Sequence, residues 1–270
     1  MSAQTEMLGG RLPLLEPSAL SAAQKETYER LNRTWIPWAN DVPFQSKLED
    51  GRLIGPFNPI LFCPAISSSF LDLQETEQKN TSLSQRVRQV VILAVGAVWK
   101  SNYELYAHAA AARKAGISED AIRMLTTGGL PDELSDQEKI AQRYARQLSA
   151  ERRVDAALYS AAEHAFGQRG LVEITYLTGL YHIVCGLLNA FEIPAPRPMP
   201  LKNQSPGVYT PTNKNPFMHV RIDPNTHDAA GEPEFLQAGI MGDDFCIDKM
   251  LGSHTWQPTD RIPSIAWRWN

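Results

Sequence analysis

The sequence predicts an all-α domain followed by a long irregular extension. Three observations carry that expectation. Ser21, Ser82 and Ser135 each stand three residues ahead of a glutamine or glutamate, the spacing of a helix-capping box. Apolar residues recur at three- and four-residue steps through most of the chain before Pro194. Ten of the 19 prolines then crowd residues 196–270, where they remove backbone donors and disfavour helical conformations for the residues before them. The expected organisation is a helical domain over residues 1–195 and an arm over 196–270 that packs on it or on a neighbouring subunit.

Ser21 with Gln24, Ser82 with Gln85 and Ser135 with Glu138 mark three helix starts. After Ser82, Val87, Val90, Val91, Ala94, Val95 and Val98 make a broad apolar stripe, so a helix is expected despite the β-branched side chains. The alanine-rich stretch 102–115 reads as the next helix, closed by Gly116 in the left-handed conformation. Ser118 caps a short helix that stops at Gly128 and Gly129. Ile140, Tyr144 and Leu148 mark one face of another, and residues 154–166 form one more, ended by Gly167. The last, 170–191, is apolar nearly all round, as a central or interface helix would be. Residues 41–64 hold four prolines with Gly51 and Gly55 and read as an ordered loop or lid. No stretch before Pro194 alternates as a strand, and no repeat has a fixed period.

Composition narrows the function classes. The 270 residues are 43% apolar and 21% charged, which supports a full core and excludes a disordered or fibrous chain. With 26 basic against 30 acidic residues, the net charge of -4 supplies no global field for nucleic acid or an anionic membrane. Glu173 and His182 interrupt the most apolar stretch, so it reads as a buried helix and no membrane is expected. Residues 1–11 lack the basic start and apolar run of a signal peptide, from which a cytoplasmic protein is expected. Cys63, Cys185 and Cys246 are scattered with no C-x-x-C, as suits reduced, mostly core thiols. The expected partners are a small-molecule substrate and further copies of the chain.

The sharpest local feature runs from Trp99 to His108. Glu104 and His108 lie four residues apart, on one face of the expected helix, where a carboxylate could fix the imidazole tautomer for acid-base work. The same spacing also suits a purely structural pair. Tyr103 and Tyr106 stand beside them as possible donors to a developing negative charge. His182, next to Tyr181, reads either as a core histidine or as a group facing the site. Arg52, Arg86, Arg88 and Arg113 could each clamp a carboxylate or be plain surface charges. Two ligands at this spacing do not complete a metal site, and none is expected. Nucleotide-binding and zinc-hydrolase motifs are absent.

At these residues the sequence resembles the carboxymuconolactone decarboxylase family of the alkylhydroperoxidase D-like superfamily. The matching stretches are DGRLIGPFN at 50–58, the helix at 84–95, YELYAH at 103–108, the run from Arg113 to Ser118, and 179–194 with Asn189 and Phe191. The resemblance implies an orthogonal all-α bundle that oligomerises through its helices as a dimer, trimer or hexamer. It also implies a site that needs no cofactor, with Glu104 and His108 in the positions of the family's active-site acidic and histidine residues. Peroxidase members place a C-x-x-C there, which this chain lacks.

The leading expectation is a lyase or isomerase, decarboxylase-like, that moves protons on a small carboxylate or lactone. His108 would move the proton, Glu104 would orient it, and Tyr103 or Tyr106 would stabilise enolate charge. Arg52 or Arg113, with His182 and Trp99, would bind substrate. The rivals are a peroxidase-type antioxidant using a lone Cys63 or Cys185, and a helical binding or assembly module without catalysis.

Overall fold

The computed structural model describes residues 7–196. After two 3-10 turns, Met7–Gly9 and Pro17–Ala19, the helices are α1 Ala22–Arg33, α2 Trp35–Asp41, α3 Phe57–Ile60, α4 Pro64–Asn80 and α5 Gln85–Trp99. They continue with α6 Asn102–Lys114, α7 Glu119–Thr126, α8 Asp136–Glu151 and α9 Ala156–Ala190. The described residues contain no strand, and one isolated bridge joins Lys47 to Leu53. The expected arm and Cys246 lie outside the described residues.

Helix α5 is the hub. It packs against α6, α7, α8 and α9, and every residue from 87 to 96 is buried. Valine is a mediocre helix former in isolation, so tertiary packing on all sides is what holds this segment helical. One cluster places Val91, Ala145, Ile174 and Leu177 between α5, α8 and α9. A second packs Val90 and Leu93 against Ile122 and Leu125 of α7. The third joins Leu31, Leu53, Ile54 and Leu71 to Tyr103 and Leu188, and it forms the body around the candidate site.

The helix ends follow local chemistry. Full capping boxes stand at Ser21 with Gln24 and at Ser135 with Glu138. The third expected box is displaced: α5 is capped by Ser84, whose hydroxyl accepts from the Val87 amide. Ser82 instead donates its amide and hydroxyl to Glu173 Oε2, at 2.8 and 2.7 Å, which ties the start of α5 to α9. Gly116, at φ 83°, closes α6 as expected, with Ile117 N bonding Ala112 O and Gly116 N bonding Arg113 O. Gly167, at φ 65° and ψ 172°, breaks α9 where the sequence placed a boundary between two helices.

Helices α2 and α4 carry weak sequence signals. Proline lies in the first turn of each, where it is compatible with helix, and in α4 Ser67 and Leu71 are the buried residues, too few for a clear apolar period. By length and composition α9 is apolar enough to cross a membrane. Its inner face, with Ile174, Leu177, Leu180 and Cys185, is buried in the bundle, while Val172, Tyr176 and Ile183 are exposed.

Candidate active site

Helix α6 leaves α5 after a left-handed residue at Lys100 and brings Tyr103, Glu104, Ala107 and His108 against α2, α9 and the 42–63 loop. Glu104 is 2% and His108 5% exposed. Both line a narrow cavity walled by Trp35, Trp38, Phe44, Phe57, Phe70 and Tyr181. The cavity is small, about 40 Å³, room for a few waters. A smaller polar chamber beyond His108 shares Trp35, Trp38, Gln74 and Tyr181 and adds Gln85, Arg88 and Gln89.

Three neighbours fix the His108 ring. Tyr181 meets it edge-on with centroids 5.0 Å apart, and Trp38 lies 6.0 Å away. Its Nδ1 is 2.8 Å from Gln89 Oε1. An amide oxygen can only accept, so Nδ1 carries a proton and Nε2 is left as the bare nitrogen of a neutral ring. On the other side, Glu104 Oε1 lies 3.1 Å from His108 Nε2, out of hydrogen-bond alignment, and this buried oxygen has no hydrogen-bond partner.

The protonation states follow from burial. Removal from water pushes the Glu104 carboxyl up to about 8, and burial reinforced by the Arg88 charge holds His108 down at about 3. A charged pair would bury two ions with one carboxylate oxygen unpartnered, an unfavourable arrangement in a low-dielectric cavity. At neutral pH the pair is therefore a carboxylic acid beside a neutral imidazole.

The structure brings together some of the expected site residues and separates others. Tyr103 lines the cavity, but its hydroxyl donates to Gln45 O at 2.6 Å, while the Tyr106 hydroxyl accepts from Gln45 N at 3.0 Å. One turn apart on α6, the two phenols clip both backbone groups of Gln45 and hold the loop. Gly55, at φ 63°, admits the Tyr103 ring: a Cβ there would lie 2.1 Å from the ring's Cζ.

Arg52 does not line the cavity. It is buried in the 50–58 loop and paired with Asp50 at 2.8 Å and Glu16 at 3.6 Å, so this stretch folds the loop. Arg113 is half exposed and bound to Glu119. His182 Nε2 contacts Ser149 Oγ at 2.8 Å and its ring stacks 5.6 Å from Trp99, a cluster joining α5, α8 and α9 away from this cavity. None of the four expected substrate-binding residues, Arg52, Trp99, Arg113 and His182, lines this cavity, and each contacts a structural neighbour.

Gln89, Trp35, Trp38 and Tyr181 are the cavity groups that sequence reasoning missed. Gln89 left one signal, a polar side chain inside the valine stripe of α5. The tryptophans come from α2, whose existence the pattern did not show. Among the described residues no group of histidine, cysteine and carboxylate side chains could hold a metal ion. Burial pushes the Cys185 thiol far up, which keeps it protonated, and Cys63 is exposed.

The bundle has an alkylhydroperoxidase D-like all-α fold. Two solved structures of peroxidase-related proteins share it. One, from Ralstonia eutropha JMP134, is described as uncharacterized with an alkylhydroperoxidase AhpD core; it is 16% identical at a TM-score of 0.54, over 69% of this chain and 92% of that one. The other, uncharacterized and from Silicibacter sp. TM1040, is 15% identical at 0.55, over 70% and 93%. A cysteine-to-alanine variant of the debrominase Bmp8, in complex with 2,3,4-tribromopyrrole, is 11% identical at 0.52, over 64% and 89%. At these identities the likeness is one of fold. Residues 64–147, which run from the start of α4 through the Glu104 and His108 pair into α8, match the carboxymuconolactone decarboxylase family. No curated protein matches the chain.

Proposed function

We propose that the protein is a lyase or isomerase that moves protons on a small lactone or carbonyl compound, with Glu104 and His108 as an acid and base that work together. The observation that supports this most is the pairing itself: a buried carboxylic acid and a bare imidazole nitrogen 3.1 Å apart in the wall of one cavity. Glu104, pushed up to about 8, holds at neutral pH the proton that a substrate oxygen needs. His108 Nε2 is free to take a proton from an adjacent carbon because Gln89 occupies Nδ1.

Each half of the reaction needs the other. Held down at about 3, His108 is a poor base alone. As Glu104 gives up its proton, its new negative charge lies beside Nε2 and raises the basicity of the ring. The C–H pair of electrons becomes the enol double bond, the carbonyl oxygen takes the Glu104 proton, and His108 becomes imidazolium. Returning that proton to another carbon, while the enol O–H proton goes back to Glu104, completes an isomerisation. A thiol mechanism finds less support, since Cys185 is buried, stays protonated and does not line the cavity.

The test is turnover of small lactones and enones with deuterium exchange at the carbon next to the carbonyl. Exchange by the wild type, lost in His108→Ala, is expected. Equal exchange by both would overturn the proposal.

A further inference from the structure

The cavity wall contains no lysine or arginine among the described residues. Arg88 borders the polar chamber beyond His108, but Glu77 holds it bidentately, Nη2 to Oε2 at 2.8 Å, with both side chains buried. Arg52 and Arg113 lie outside the cavity in their own ion pairs. Trp35 and Trp38 meet edge to face at 5.8 Å, and Trp38 meets Phe44 in the same way at 5.3 Å. The walls are thus aromatic faces and edges with no counter-charge for an anion.

Two buried polar atoms on residues of this wall have no hydrogen-bond partner: Glu104 Oε1 and Trp35 Nε1. The indole nitrogen is donor only, and a carboxylic acid donates through its O–H. Native interiors seldom leave such groups orphaned unless something else satisfies them.

We propose that the cavity binds a neutral, planar ring compound carrying a carbonyl oxygen, of the aromatic lactone or enone kind, and discriminates against its carboxylated counterpart. This assignment rests on the acid-base reading of Glu104 and His108 and narrows it to uncharged substrates. A flat ring matches aromatic walls through offset and edge contacts. Its carbonyl oxygen accepts from the Glu104 acid, and a ring or carbonyl oxygen accepts from the Trp35 indole. A carboxylate would lose its hydration and find no cation, next to a glutamic acid whose own ionisation it would oppose. A ring is larger than the free space in the structure, so binding displaces side chains of the cavity such as Phe70 and Gln74, both half-buried.

The experiment uses the full chain with phthalide, a neutral aromatic lactone, and phthalide-3-carboxylate. Binding is measured calorimetrically near pH 7 and checked by quenching of tryptophan emission. Phthalide is expected to bind at least about tenfold more tightly than the carboxylate, since an anion finds no counter-charge in this wall. Trp35→Phe, which keeps an aromatic ring and loses the donor, should weaken phthalide about threefold or more. Glu104→Gln, still neutral and still a donor, should bind phthalide while losing turnover.

Equal or tighter binding of the carboxylate, or no saturable binding of phthalide, would overturn the assignment. If phthalide binds as expected while His108→Ala keeps full turnover, the acid-base reading fails and the neutral-ligand assignment stands. Loss of turnover in His108→Ala with preferred binding of the carboxylate would show the reverse.

Discussion

Gln89 Oε1 and His108 Nδ1 face each other 2.8 Å apart across the contact of α5 with α6, both side chains buried. Through this bond a residue of the hub helix, not the carboxylate one turn away, sets the imidazole tautomer. In the proposed reaction this leaves Glu104 to act as the acid. Gln89 reaches the ring because α5 is buried along its whole middle, so that even its polar side chains face neighbours rather than water.

Gln89→Leu should remove that control. Nδ1–H would be buried without a partner, costing about 1–3 kcal/mol of stability. Turnover should drop at least about tenfold as the ring samples the other tautomer. Denaturant titration and steady-state kinetics check the two parts separately.

His108→Ala should lower kcat at least about 100-fold, the lower end of what a general acid-base group contributes. Glu104→Gln should cost a similar factor because the amide cannot transfer a proton. Circular dichroism should show both variants folded, since each replacement is neutral, as the native pair is. Wild-type rates in either folded variant would contradict the proposed roles.

The same pair predicts a stability profile with two opposed slopes. Glu104 is raised from 4.5 to about 8, so the native state holds a proton that the unfolded chain has lost, and stability falls as pH rises across that interval. His108 is lowered from 6.5 to about 3, so the unfolded chain binds the extra proton, and stability falls as pH drops across that interval. Between 4.5 and 6.5 the two effects cancel, leaving a plateau with a decline on either side. Each flank should approach about 1.4 kcal/mol per pH unit for one proton. Urea titrations across pH should show the alkaline flank vanish in Glu104→Gln.

Gly55→Ala should be strongly destabilising, because the new Cβ would overlap the Tyr103 ring at 2.1 Å and the residue would be held at φ 63°. A cost of at least about 1–3 kcal/mol follows from the backbone conformation and overpacking. Tyr103→Phe, which removes only the bond to Gln45 O, should cost about 0.5–1.5 kcal/mol. Thermal melts that rank the two variants the other way round would contradict the packing account.

Much of the fold was legible in the sequence because its signals are local. Ser21, Ser118 and Ser135 cap the helices expected of them, and Gly116 and Gly167 stop or break helices where their freedom at positive φ is needed. The i and i+4 spacing brought Glu104 beside His108. What stayed hidden depends on contacts between distant segments. Ser84 displaced Ser82 as a cap because Glu173, 91 residues away from Ser82, takes up the latter's amide and hydroxyl. Arg52 and Arg113 are the exception: their partners Asp50 and Glu119 stand two and six residues away, but spacing alone does not say which neighbouring charges pair. The cavity's aromatic wall was invisible because α2 and α4 show too little apolar periodicity to announce themselves.

The exposed apolar face of α9 should be an interface between copies of the chain. Leu73, Tyr159, Val172, Tyr176 and Ile183 are all more than two fifths exposed and line one groove, more apolar surface than a lone helix usually offers water. Light scattering should give a multiple of the chain mass, and Val172→Glu with Tyr176→Glu should reduce it. A monomer at micromolar wild-type concentration would contradict this.

Nitrogen NMR of the His108 ring tests the neutral acid and base at Glu104 and His108 directly. With the histidines labelled and His108 assigned by comparison with His108→Ala, the spectrum should show one protonated nitrogen, Nδ1, and one bare nitrogen, Nε2. That pattern should persist from about pH 7 to about pH 5, where an ordinary histidine becomes imidazolium. A ring with both nitrogens protonated across that range, the signature of a buried Glu104 and His108 ion pair, would contradict it.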